Sequence, residues 1–187
     1  MDKRKEVLLS SLKDKEEEVR STAAEALERY EIRQRLDVIS KKIESGEMLE
    51  KIRAIYALSE LRGQRVVELL SKALKDPSED VKAAALRVLA GISDRNALPG
   101  IVELLKDSSQ TVIRVAIDAL SKYNDPRLLG YLMQTLKNTD AGIVERALEV
   151  IASIGDKKAE EAMMHFALNG NARMRKIALK ALGEMEG

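Results

Sequence analysis

One column of alanines restricts this chain more than any other feature. Alanine stands at 23, 54, 85, 116, 147 and 178, a step of 31 residues each time. The same step from Leu27 meets Leu58, Leu89, Leu120, Ile151 and Leu182, and six such periods account for 186 of the 187 residues. A short unit recurring at one spacing cannot bury its apolar side alone, so its copies stack and share a core. The chain is therefore expected to be one repeat array, with units at 1–31, 32–62, 63–93, 94–124, 125–155 and 156–187.

Each unit reads as two helices. In the second, the columns headed by Val19, Ala23, Ala24, Ala26, Leu27 and Tyr30 are apolar in nearly every copy and trace one helical face. Alanine in the middle lets neighbouring helices approach closely, and it is the best helix former. The first helix has its own columns, Leu8, Ile39, Leu70, Ile101, Leu132, Met163 and Leu12, Ile43, Leu74, Leu105, Leu136, Ala167. Between the two helices runs a polar column of Asp14, Ser45, Asp76, Asp107, Asn138 and Asn169. These are N-cap residue types, and Asp14/Glu17, Asp76/Glu79 and Asp107/Gln110 have capping-box spacing. Asp94, Asp125 and Asp156, also 31 apart, are expected to cap the next first helix. The lysines at 13, 75, 106 and 137 suit the last turn of the first helix, where cations complement the dipole.

Composition narrows the function. With 45% hydrophobic and 34% charged residues the chain is globular in type. The 32 Lys and Arg nearly cancel the 31 Asp and Glu, so no bulk charge draws it to nucleic acid or to an anionic membrane. No Trp, one Phe and four Tyr leave little for base stacking. The absence of Cys removes disulfides, thiolate zinc sites and a thiol nucleophile. The basic start is followed at once by acids and has too short an apolar run for a signal peptide, so a cytoplasmic address is expected.

Stretches such as ALPGIVELLKDSSQTVIRVAIDAL (97–120) followed by NDPRLL (124–129) resemble HEAT repeats of the short, phycobilisome-lyase-like type, and the resemblance covers the whole chain. It implies an all-α fold, a right-handed α-solenoid of six helical hairpins whose second helices line the concave side. The family's usual basic residue after the valine is present as Arg20, Lys82 and Arg175, while Ile113 and Val144 replace it in the fourth and fifth copies. Deoxyhypusine hydroxylase resembles this architecture but needs several His-Glu pairs to hold two irons, and this chain has one histidine, His165. HEAT-like DNA glycosylases use aromatic and basic grooves that are not supplied here. Neither a nucleophile with its base nor a ligand cluster is found, so the expectation is a chain that is not an enzyme and takes no cofactor or metal. The reading is a protein-binding scaffold or adaptor; a phycobilin-lyase-like or chaperone-like subunit acting on a cofactor protein is the alternative.

Two departures from the pattern mark candidate surfaces. The columns Glu25, Tyr56, Arg87, Asp118, Glu149, Lys180 and Ser21, Ile52, Ala83, Arg114, Glu145, Lys176 alternate in sign, so Arg87 is expected to pair with Asp118, Glu149 with Lys180, and Arg114 with Glu145 and Lys176. In the second copy Glu50 replaces the core valine, and Leu49, Ile52 and Tyr56 are apolar where other copies are polar. Either that helix is rotated so that Ile52 and Tyr56 enter the core, or a concave patch of Leu49, Ile52, Tyr56, Ala83, Arg87, Arg114, Val115 and Asp118 receives a partner helix or peptide. The last copy carries Met164, Leu168, Met174, Ile177 and Met185, with Leu168 where earlier copies have lysine. Those residues either fold inward or form a docking edge, including one for a homodimer.

Overall fold

The computed structural model describes residues 2–185, which form eleven α-helices and no strand. In order these are α1 (Lys3–Ser11), α2 (Glu17–Ser45), α3 (Met48–Ala57), α4 (Gln64–Ala73), α5 (Glu79–Ile92), α6 (Leu98–Glu103), α7 (Gln110–Ser121), α8 (Leu129–Thr135), α9 (Ala141–Ile154), α10 (Glu160–Asn169) and α11 (Ala172–Glu184). Turns of 3-10 helix lead into α6, α8 and α10, and another follows α6. Within hairpins α1 packs on α2, α2 on α3, α4 on α5, α6 on α7, α8 on α9 and α10 on α11. Between hairpins the second helices make a continuous layer, α3 against α5, α5 against α7, α7 against α9 and α9 against α11.

The alanine column sits inside that layer. Ala23, Ala54, Ala85, Ala116, Ala147 and Ala178 are all buried, the last four with no exposed surface. Leu70, Ile101, Leu132 and Met163 of the first-helix column are equally closed off. The first hairpin is the exception. Helix α1 has no buried residue, Val19 is exposed, and Ala23 alone is buried in the first half of α2.

Eleven helices rather than twelve reflect a missing turn. The expected break at residues 31–32 falls inside α2, which runs unbroken for 29 residues. Residues 31–34 read Glu-Ile-Arg-Gln and hold no helix breaker. The later boundaries each have one. Gly63 sits at φ +116°, a region closed to most side chains, and precedes α4. Ser93, Asn124 and Gly155, again 31 apart, are left-handed, and the aspartate after each caps the next 3-10 turn. Asp94, Asp125 and Asp156 thus hold the capping role expected of them, accepting from the backbone N–H of Asn96, Arg127 and Lys158.

The inner polar column departs from expectation by two residues. The N-caps of the second helices are Glu16, Glu47, Ser78, Ser109, Asp140 and Asn171. Asp14, Asp76, Asp107 and Asn138 instead accept a hydrogen bond from the backbone N–H two residues on, at 2.8–2.9 Å, and so set the turn before the helix. None of the three expected capping boxes forms; the one among the described residues is Glu47 with Glu50, which explains the glutamate in the valine column.

Tyr123 closes the base of the fourth hairpin, buried, its hydroxyl donating to the Leu89 carbonyl at 3.3 Å. Burial, aided by the charge of Asp94, pushes its phenol up to about 12. The neutral form therefore stabilises the fold fully below the ordinary value near 10, and that contribution fades as pH rises toward 12. Urea unfolding of Tyr123→Phe is expected to lose about 2 kcal/mol less stability than wild type between pH 9 and pH 12. Equal losses in both proteins would show that Tyr123 does not titrate with unfolding.

Candidate functional site

The second helices carry the candidate face. Tyr56, Arg87 and Asp118 share one register row on the packed helices α3, α5 and α7, and Ile52, Ala83 and Arg114 share the next. Leu49 and Tyr56 are exposed, at 61% and 45%, as are Arg87, Arg114 and Asp118. Ala83 offers no surface: it is buried, as is Ala84. Ile52 and Val115 are half-buried and lie against the core. In the second copy Ile52 is thus turned toward the core, while Tyr56 does not enter it.

The charges pair differently from the column reading. Arg146 joins Asp118 to Glu149, the latter at 2.8 Å, and Arg173 joins Glu149 at 2.9 Å to Glu145 at 3.3 Å. Hydrogen bonds from Arg146 and Arg173 outweigh burial and hold the Glu149 carboxyl below its usual range. Lys180 pairs with Glu184 on its own helix rather than with Glu149. Arg87 and Arg114 make no ion pair among the described residues. Arg146 and Arg173 stand in columns that do not alternate in sign, so repetition alone gives no signal of their pairing. The outcome is a run of ion pairs across α7, α9 and α11, with Arg87 and Arg114 left unpaired among the described residues on α5 and α7.

A second set of charges lies between hairpins. Lys51 binds Asp76 at 2.7 Å and Lys82 binds Asp107, both pairs largely shielded from solvent. Lys51 belongs to the basic column, which Glu50 beside it disguised in the sequence. Each aspartate uses its other oxygen for the turn already described. Burial raises the Asp107 carboxyl, but hydrogen bonds from Lys82 and the Ser109 N–H outweigh it and leave the group below the usual carboxylate range. Where the basic residue is lost the acid is lost too. Ile113 and Val144 stand 25 residues before Asn138 and Asn169, the spacing that separates Lys51 from Asp76. A neutral amide there avoids an unpaired buried carboxylate. At the ends the pattern lapses: Arg20 donates to the carbonyls of Asp14 and Lys15, and Arg175 to that of Gly170.

The C-terminal edge divides. Met164 and Leu168 on α10 are exposed, Leu168 at 80%, and Leu179 on α11 joins them at 61%. Met174 is buried and Ile177 and Met185 pack on the core, so these three are not part of the open surface. Leu179 stands in the column of Ile55, Leu86, Ile117 and Leu148, which is fully buried in the four inner copies and exposed at Ala24 in the first. His165 is exposed with its ring edge-on to Phe166, and among the described residues no group of three or more His, Cys, Asp or Glu is placed to hold a metal. No described helix is long and apolar enough to cross a membrane.

Helical hairpins stacked into one two-layered array define an α-solenoid repeat protein. The chain belongs to the HEAT-repeat family: a family model for HEAT repeats matches residues 67–152, one for a HEAT repeat matches 6–30, and one for a PBS lyase HEAT-like repeat matches 51–76. No curated protein matches. Human deoxyhypusine hydroxylase, in a structure with glycerol, has a similar fold, with TM-score 0.63 and 19% identity over 87% of this chain and 66% of that one. The chain thus spans just under two thirds of the hydroxylase. A designed armadillo repeat protein in complex with the peptide (KR)4 gives 0.59 and 18% over 96% and 98%. The complex of CpcE and CpcF of phycocyanin lyase from Nostoc sp. PCC7120 gives 0.54 and 18% over 97% and 76%. At these identities the likeness establishes the fold.

Proposed function

We propose that the chain is a non-catalytic, cytoplasmic scaffold that holds a protein segment on its second-helix face, and that the segment is acidic with large apolar side chains. One observation carries this reading: Tyr56 and Leu49 are exposed on the face that carries Arg87 and Arg114, two guanidiniums without an ion-pair partner among the described residues, while Arg146 and Arg173 take Asp118, Glu145 and Glu149. An extended segment laid across α3, α5 and α7 would put its apolar groups against Tyr56 and its carboxylates on the two guanidiniums. The designed armadillo protein, which holds a peptide on the same kind of scaffold, supports it; that peptide is basic, and the charge here asks for the opposite sign. The exposed edge of Met164, Leu168 and Leu179 is the second contact surface of the proposal.

Selection of a displayed random-peptide library on the folded chain tests the first surface. Enrichment of acidic peptides with aromatic or aliphatic anchors is expected, with Kd raised at least tenfold by Arg87→Glu with Arg114→Glu. Recovery of basic peptides, or binding indifferent to both substitutions, would sink the reading. A lyase-like subunit acting on a cofactor protein is the second reading, supported by the PBS lyase HEAT-like match at 51–76 and the likeness to the phycocyanin lyase complex. A bilin whose absorption changes on mixing with the chain would favour it.

A further inference from the structure

The two ends of the array carry side chains at register positions that face one another between inner hairpins. Between the fourth and fifth hairpins, a cleft of about 620 Å³ is lined on one side by Leu98, Val102 and Lys106 and on the other by Leu128 and Tyr131. The first three lie on one stripe of a first helix and face the following hairpin, while Leu128 and Tyr131 face back. Two periods on from the stripe stand Glu160, Met164 and Leu168, the stripe of α10. Four periods back from Leu128 and Tyr131 stand Arg4 and Val7 on α1, and Val7 is 63% exposed. Arg4 and Val7 line a cleft of about 630 Å³ between α1 and α2, with Leu8, Ala26 and Tyr30 giving it an apolar wall.

Where the inner copies set Leu98 across from Leu128, the ends carry Glu160 and Arg4, of opposite charge. The ladder between hairpins repeats the complementarity. Arg175 holds the position of Lys51 and Lys82, and Asp14 that of Asp76 and Asp107. Neither Arg175 nor Asp14 has an ion-pair partner among the described residues. Counted on in the same 31-residue register, Asp14 of a following copy falls 25 positions after Arg175, the separation of both pairs that do form. Leu179 then occupies the column that is fully buried in the four inner copies and exposed in the last.

We propose that copies of this chain stack head to tail, the C-terminal edge of one seated on the α1–α2 cleft of the next, with Arg175 meeting Asp14 and Glu160 meeting Arg4. The proposal rests on the reading of the C-terminal edge as a contact surface, and it names the occupant as a second copy and its opposite end as the mate. A heterologous contact of this kind does not close on itself as a twofold dimer does, so assembly is open-ended.

The experiment uses sedimentation velocity on the full chain over a hundredfold concentration range, with two variants whose helicity is first matched to wild type by circular dichroism. One, Leu168→Lys with Leu179→Glu, spoils the C-terminal edge; the other, Arg4→Glu with Val7→Glu, spoils the cleft. Wild type is expected to grow past dimer with concentration, each variant alone to stay monomeric, and their mixture to stop at a one-to-one dimer, since it retains one good edge and one good cleft. A wild-type dimer lost in the edge variant but intact in the cleft variant would mean that copies meet edge to edge, which overturns the head-to-tail arrangement and keeps the edge. Monomers throughout would overturn both, leaving the second-helix face to be judged by the peptide selection. Asp14→Arg is expected to weaken growth and added Arg175→Asp to restore it; failure to restore would remove the ladder from the contact.

Discussion

A chain with aspartate in place of Ala116 is expected to unfold in two stages. Ala116 has no exposed surface and lies on α7, which packs against α5 on one side and α9 on the other. A carboxylate there has no partner, and an unpaired buried charge costs about 3–5 kcal/mol. Because each hairpin touches mainly its neighbours, that loss is centred on the middle of the stack, and the cores around Ile39 and Ile55 on one side and Met163 and Ala178 on the other lie outside it. Hydrogen exchange should find α7 and its immediate neighbours opening first, and urea unfolding followed by circular dichroism should broaden or split. A single sharp transition, merely moved to lower urea, would show that the six hairpins fold as one indivisible unit.

Loss of Lys82 is the second large effect. Lys82→Met removes the cation from Asp107 while leaving the carboxylate shielded, at a cost of about 3–5 kcal/mol. The chain itself supplies the remedy. Lys82→Ile with Asp107→Asn reproduces the Ile113 and Asn138 pairing of the next hairpin and is expected to recover most of the loss. The pH dependence has a definite sign. In wild type the Asp107 carboxyl is held below its ordinary value, so its contribution is present above about pH 4 and is lost as pH falls through the depressed value. In Lys82→Met burial is no longer outweighed by the lysine, and protonation relieves the fold instead. The stability gap between wild type and variant, read from urea midpoints, should therefore shrink from pH 7 to pH 4. A gap that is constant with pH would show that the variant suffers from lost packing and not from the stranded charge.

The parts of this molecule that could be read from its sequence are those set by repetition. A buried column has to be apolar in every copy, and six alanines at one spacing leave no other placement for themselves. Polar positions were less legible because one residue type serves two geometries. Aspartate at an N-cap and aspartate two residues earlier in a turn look alike in sequence, and Asp76 and Asp107 take the second while Asp94 and Asp125 take the first. The fusion of the first two units was open to view in the missing breaker at residues 31–34, but a period as regular as this one suggests a turn whether or not its residues are present. On the candidate face, charges at equal register in neighbouring copies do not pair among the described residues. Long arginine side chains reach across registers, so Arg146 and Arg173 take the acids that equal register would give to Arg114, Arg87 and Lys180.

Helix α2 has a mechanical consequence. In a stack of separate hairpins, a disturbance at one end fades as each flexible turn absorbs part of it. The first hairpin here contributes only Ala23 to the buried interior, so side-chain packing does little to hold it in place. A rod of 29 residues, about 43 Å at the helical rise, does that work instead. Leu36, Ile39 and Ile43 anchor its second half in the core. A rod so held would act as a lever about those residues, carrying a force applied near Tyr30 to α3 and α4, the helices packed on it, and so to the face of Leu49 and Tyr56.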